Sequence, residues 1–241
     1  MSANSTISHE IANLLRDEIL RSQYRRGERL PSERDLAARF DASRGAVREA
    51  LSQLEQLGLI RILPGGARIQ AIDAASIAIL GPLMAVNDLP DPLLVDQFLQ
   101  TFGVLTALTA RTAINKASNE EMQDLQGMVE RLGMHAGDFE AMQTQWREFL
   151  EYLATVADNL VVRLIGNDLK AQFVEQMMSL GINPVMKPAT INKLLNSLKL
   201  SLASKDAEMA AVTFQMHFDE LRIAVSEAIS LKQGSYQKQA V

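Results

Sequence analysis

Apolar residues recur along most of this chain at the three-and-four spacing of buried helix faces, and only one region breaks the pattern. In residues 7–22, Ile7, Ile11, Leu14, Leu15, Ile19 and Leu20 fall along one side and predict an amphipathic first helix. Leu36, Ala37 and Phe40 predict a short second helix. Pro31-Ser32 opens it, with Asp35 placed so that the serine hydroxyl can take a first-turn amide. Asp41-Ala42 breaks the run, and Ser43 is a second N-cap. Val47, Ala50, Leu51 and Leu54 then form the buried stripe of a longer third helix, which Gly58 ends. Residues 59–63 and 67–70 predict two short strands joined by Pro64-Gly65-Gly66. Three helices and a β-hairpin in this order predict a winged helix-turn-helix domain over residues 1–74.

Residues 71–76 carry no strong structural signal and are expected to be a linker, with the boundary near residue 74. Beyond it the pattern is helical: 77–86, 93–117, 118–134, 138–156, 159–180, 190–203 and 204–231, with the last ten or so residues fraying. Ser118 with Glu121 makes a capping box, and Gly181, Pro184 and Pro188 predict a loop. No β-alternation of useful length follows residue 75. The fold class is therefore mainly α, with an all-α antiparallel bundle of six or seven helices over residues 75–241.

The candidate chemistry lies on the third helix. Ser43, Arg44 and Arg48 are off its apolar stripe, and the two arginines are one turn apart on one face. A recognition helix enters the major groove by its N-terminal residues, and arginine suits a bidentate contact with guanine O6 and N7. Gly45 and Ala46 belong to the same contact surface but carry no side-chain donor, so Arg44 and Arg48 are left with the direct base readout. Ser32 and Arg34, on the preceding helix, are placed for phosphate. Arg25 and Arg26 fit a solvated turn.

Composition changes this picture in three ways. Cysteine is absent, which excludes disulfides, thiolate catalysis and cysteine-bound metal clusters. The three histidines, His9, His135 and His217, form no carboxylate–histidine cluster, so no enzyme is expected. The net charge is −5, yet residues 1–75 hold eleven arginines, no lysine and ten carboxylates. DNA binding must then depend on where the arginines point rather than on bulk charge. The first residues lack the basic-then-apolar pattern of a secretion signal, and no uninterrupted apolar run reaches about 18 residues. A cytoplasmic protein with no membrane partner is the expectation.

The runs LPSERDLAARF, SRGAVREALSQL and GLIRILPGGARI closely resemble the DNA-binding domain of the GntR family of bacterial transcription regulators, over roughly residues 8–72. The resemblance implies DNA contacts at Arg34, Ser43, Arg44, Arg48 and the wing residues Gly65 and Gly66. Many relatives carry threonine, glutamine or another hydrogen-bonding residue where Gly45 and Ala46 stand. It further implies a homodimer on a pseudo-palindromic operator in double-stranded DNA.

The helical remainder resembles the sensing domain of the FadR-type subgroup, through Phe149, Asn159 and the closing pattern around Asp206 and His217. Many members of that subgroup hold a divalent metal with one aspartate and three histidines. Laid on that pattern, His217 falls at a histidine position while Trp146, Leu150 and Leu195 occupy the others, so neither metal nor cofactor is expected. These four residues are expected to border an effector pocket, with an acyl-coenzyme A or another lipophilic carboxylate as the small-molecule effector. Ten of the eleven methionines follow residue 75 and read as ordinary core filling. A constitutive DNA-binding regulator that has lost ligand sensing is the alternative.

Overall fold

The computed structural model describes residues 3–87, 89–134, 139–179 and 186–239, and the side chains of 6–87, 89–134, 142, 144–170 and 186–233. The chain divides into two compact units, Met1–Pro90 and Asp91–Val241.

In the first unit, α1 (Ala3–Leu20), α2 (Glu33–Arg39) and α3 (Arg44–Gln56) precede a hairpin of β1 (Ile60–Leu63) and β2 (Gly66–Ile69). The strands pair antiparallel with Ile60 opposite Ile69 and Leu63 opposite Gly66, leaving Pro64-Gly65 as the turn. Arg29 adds a bridge to Arg68 on the far side of β2, and Leu30 N–H donates to Ala67 O at 2.9 Å. Ile11, Leu15, Leu36, Val47, Leu54 and Ile69 meet in one core. Each fully buried aliphatic side chain there contributes about 1.5–3 kcal/mol. The expected stripe on α1 holds only in part: Ile7 and Leu14 are exposed, while Ser8 and Ala12 turn inward. Leu14 and Leu15 lie about 100° apart around α1, and it is Leu15 that falls on the face shared with Ile11, Ala12 and Ile19.

The end of α3 sets where this unit stops. Gly58 N–H donates to Glu55 O and Leu59 N–H to Leu54 O, the double closure of a glycine-terminated helix. Gly58 has φ +75°, and a Cβ on it would lie 3.0 Å from the Ala75 Cα. Ser76 N–H then donates to Leu57 O at 2.9 Å. The backbone after the wing is thus laid directly on the helix terminus. A 3-10 turn at Ile77–Ile79 and α4 (Leu80–Ala85) follow, with Ile79 and Val86 buried in the same core. The compact unit therefore runs to Pro90 instead of ending near residue 74, because these apolar residues cover its core.

The second unit contains six helices among the described residues: α5 (Pro92–Lys116), α6 (Asn119–Met134), α7 (Phe139–Ala157), α8 (Leu160–Ser179), α9 (Pro188–Ser204) and α10 (Ala207–Gln239). Ser118 and Glu121 exchange the expected pair of capping hydrogen bonds, at 2.8 and 3.2 Å. Pro188 opens α9 rather than lying in a loop, a position where its missing N–H costs nothing. Gly181 and Pro184 lie outside the described residues. The final helix continues to Gln239, well past the expected fraying point near Leu231. By length and composition α5 is apolar enough to cross a membrane. Its apolar positions are explained by packing, since Val95, Leu99, Ala107, Ala110 and Ile114 are buried in the bundle. At Gly103 the helices α5 and α10 meet so closely that a Cβ would fall 2.8 Å from Phe218 Cβ.

Candidate nucleic-acid interface

Two serines set the geometry of the turn. Ser32 Oγ accepts from Asp35 N–H at 3.3 Å and donates to the Asp35 carboxylate at 2.6 Å. Ser43 Oγ accepts from Ala46 N–H at 3.1 Å, and its residue stays exposed. The second cap presents the N-terminal turn of α3 at the surface, with its remaining amides and helix dipole favouring an anion there.

Arg44, the first residue of α3, is exposed and has no hydrogen bond or ion pair among the described residues. Arg48, one turn on, is also exposed but is held from α2. Its Nη2 lies 3.0 Å from Glu33 Oε2 and its Nε 3.3 Å from Oε1. The hydrogen bonds from Arg48 hold the Glu33 carboxyl below its ordinary range. Because Glu33 occupies the Nε–Nη2 edge of the guanidinium, the Nη1 side is left for another acceptor. Glu33 thereby reduces the freedom of a long side chain without removing its donors.

Arg34 is exposed and only loosely associated with Asp35, at 3.7 Å, which leaves it able to reach phosphate. Gly45 is open to solvent, and a Cβ there would meet nothing closer than the Ser43 hydroxyl at 3.7 Å. Two expected contacts need correcting. Ala46 is 2% exposed, because the first turn of α3 already faces the core beside Val47, so its side chain cannot meet a groove. The Ser32 hydroxyl is committed to Asp35 in both directions and is a cap before it is a phosphate ligand.

The wing also differs from its sequence. Gly65, at the turn, has open space where a Cβ would stand, whereas Gly66 does not. Gly66 has φ +113°, and a Cβ there would lie 2.6 Å from Arg29 Nε. An arginine from the segment before α2 therefore lies against the hairpin. Sequence reasoning missed it, because the Arg29–Arg68 pairing that brings it there joins residues about forty positions apart.

In the helical unit Trp146 and Leu150 pack against the same hydrophobic cluster that holds Leu195. Trp146 packs on His217, with ring centroids 5.1 Å apart, and on Phe149 and Phe214. Leu195 is buried in the same core. Leu150 also lines a cleft of about 100 Å³ between α5, α7 and α8, beside Phe102, Asn159, Arg163 and Lys170. His217 Nδ1 is buried without a hydrogen-bond partner among the described residues, and burial pushes the imidazole down to about 4. Among the described residues no group of three or more His, Asp or Glu side chains is placed to hold a metal ion. His135 lies outside the described residues.

A capped two-helix turn, a third helix beneath it and a hairpin wing define a winged helix-turn-helix DNA-binding domain. Residues 7–68 match the family model for bacterial regulatory proteins of the gntR family. It is similar to the HTH-type transcriptional repressor NanR of Escherichia coli O127:H6, with 33% identity over 130 residues, 53% of this chain and 49% of that one. NanR of Cronobacter sakazakii is 34% identical over 124 residues, covering 51% and 48%. The chain thus spans about half the length of the curated relatives it matches. Among solved structures, Lar, which controls expression of the Listeria monocytogenes agr system, has the same fold. It aligns with TM-score 0.53 and 19% identity over 94% of this chain and 98% of that one.

Proposed function

We propose that this protein is a transcription regulator that binds a pseudo-palindromic duplex as a homodimer, each copy placing the start of α3 in the major groove. The observation that carries this reading is the pair of exposed guanidinium groups, Arg44 and Arg48, one turn apart behind the Ser43 cap. In the free protein Arg44 is uncommitted and Arg48 keeps part of its donor set, so both can bond guanine edges without breaking internal structure. Arg34 and the open surface at Gly45 and Gly65 let the DNA backbone approach. The similarity to two NanR repressors favours repression as the outcome of binding. Self-association has support in α8, where Leu160, Val161, Leu164 and Ile165 are all exposed, an apolar patch suited to a second copy.

Effector control belongs to the helical unit. The cleft beside Leu150 is smaller than the roughly 300–1,000 Å³ typical of ligand pockets, and a small carboxylate suits it better than an acyl-coenzyme A. The filled aromatic core around Trp146 favours a second reading, a regulator without ligand control. Thermal-shift measurements with small carboxylates and acyl-coenzyme A separate the two: stabilisation by either supports sensing, and none supports its loss.

The DNA reading is tested on a duplex recovered by selection from random sequence. Arg44→Ala combined with Arg48→Ala should weaken binding by about 2–6 kcal/mol, taking roughly 1–3 for each bidentate pair. Unchanged affinity in a folded double variant would refute the assignment.

A further inference from the structure

The strands of the wing carry Arg61 and Arg68, but its turn, Leu63-Pro64-Gly65-Gly66, carries no cation, and yet a third guanidinium lies against it. Five of the eleven arginines of the head are tied by hydrogen bonds to a carboxylate or a backbone carbonyl. Arg16 pairs with Asp17, Arg39 with Glu18 and Arg48 with Glu33, and Arg21 and Arg68 donate to the carbonyls of Val86 and Gly27. Arg29 is exposed and makes no hydrogen bond or ion pair among the described residues. Its position is nevertheless fixed. The backbone bridge from Arg29 to Arg68 sets its origin, and neighbouring hydrogen bonds from Leu30 N–H to Ala67 O and from Ile69 N–H to Glu28 O hold that strand on β2. Its guanidinium occupies the space a side chain at Gly66 would fill, with Nε 2.6 Å and Nη2 3.1 Å from the place of the absent Cβ.

We infer that Arg29 places a cation beside the wing turn and contacts a backbone phosphate of bound duplex. This rests on the DNA-binding function proposed above and adds a contact residue that the sequence did not suggest. A cation held on a surface that binds DNA, with no internal carboxylate to neutralise it, is available to replace the counterions of a phosphate. Phosphate is the chosen acceptor because the guanidinium lies along the hairpin beside Gly66 rather than projecting from the Pro64-Gly65 tip. A group on the flank of the hairpin meets the sugar-phosphate strand bordering the groove, not base edges within it. The absence of a side chain at Gly66 is what leaves room for this placement.

The test measures affinity for the selected duplex and for a random duplex across a salt series, with wild type, Arg29→Gln, Arg29→Lys and Gly66→Ala. Arg29→Gln keeps a polar chain over Gly66 while removing the charge, so folding is retained. It should weaken both duplexes alike, about eight-fold at 0.1 M salt, and reduce the magnitude of the log–log salt slope by about 0.9, the value for one lost phosphate contact. Arg29→Lys should restore the slope, and Gly66→Ala should reproduce the loss by displacing the guanidinium. Unchanged affinity and slope in Arg29→Gln would overturn the inference, as would a loss confined to one base pair, which would make Arg29 a base reader. If the Arg44 and Arg48 double variant loses binding while Arg29→Gln does not, this inference alone fails. If the double variant binds normally, the parent reading fails instead.

Discussion

Single side chains in this protein are tuned by what surrounds them, and His217 shows it most plainly. The imidazole sits against Trp146 and Phe218, and its Nδ1 is sealed from solvent without a hydrogen-bond partner among the described residues. Burial therefore holds it neutral down to about pH 4, whereas an unfolded chain titrates near 6.5. Above pH 6.5 both states are neutral and the residue contributes no pH dependence. As pH falls from 6.5 toward 4, the unfolded chain takes up a proton that the folded chain refuses, so stability must decrease. The loss is on the order of 3 kcal/mol by pH 4. Urea midpoints at pH 7 and pH 4.5 check this. His217→Phe should lose less stability on acidification than wild type, and an equal loss in both would mean that the imidazole is not sealed.

Helices and turns were legible in the sequence where local chemistry decided them. Ser32, Ser43 and Ser118 all cap as their side chains and spacing imply, because a cap is set by residues within one turn. The stripe of Val47, Ala50, Leu51 and Leu54 was equally clear. What could not be read depended on contacts distant in sequence. Nothing near Ala46 says whether its side of α3 meets core or groove until α1 is packed beneath. Arg29 reaches the wing only through pairing with β2. Trp146, Leu150 and Leu195 were grouped through a metal-site resemblance, and the cleft that Leu150 also lines beside α8 was not legible from it.

The same dependence explains the longer first unit. Gly58 ends α3 with φ +75°, and the absence of its Cβ lets Ala74 and Ala75 lie against the helix end. Gly58→Ala imposes a left-handed conformation on a residue with a side chain and forces that segment outward. A loss of about 1–3 kcal/mol is expected. Thermal denaturation should show a lower midpoint for the variant, and an unchanged midpoint would mean that residues 74–76 are not fixed to α3.

At the scale of the whole molecule, the proposed DNA recognition rests on an arrangement of arginines rather than on an excess of positive charge. The chain carries a net charge of −5, so attraction to duplex is not a property of its overall composition. Internal ion pairs absorb several of the head's arginines, while Arg44 remains free and Arg48 is steadied by Glu33. The curated NanR relatives match over only about half their length, and how the helical unit alters operator binding is a proposal for this chain alone.

Methylation protection of guanine N7 on the selected duplex tests the central claim most directly. Two copies reading guanines through Arg44 and Arg48 should protect two symmetric clusters facing the same side of the duplex, about one helical turn of 34 Å apart. The protection should vanish in the double alanine variant. Binding with no guanine N7 protected, or the same protection without those arginines, would contradict it.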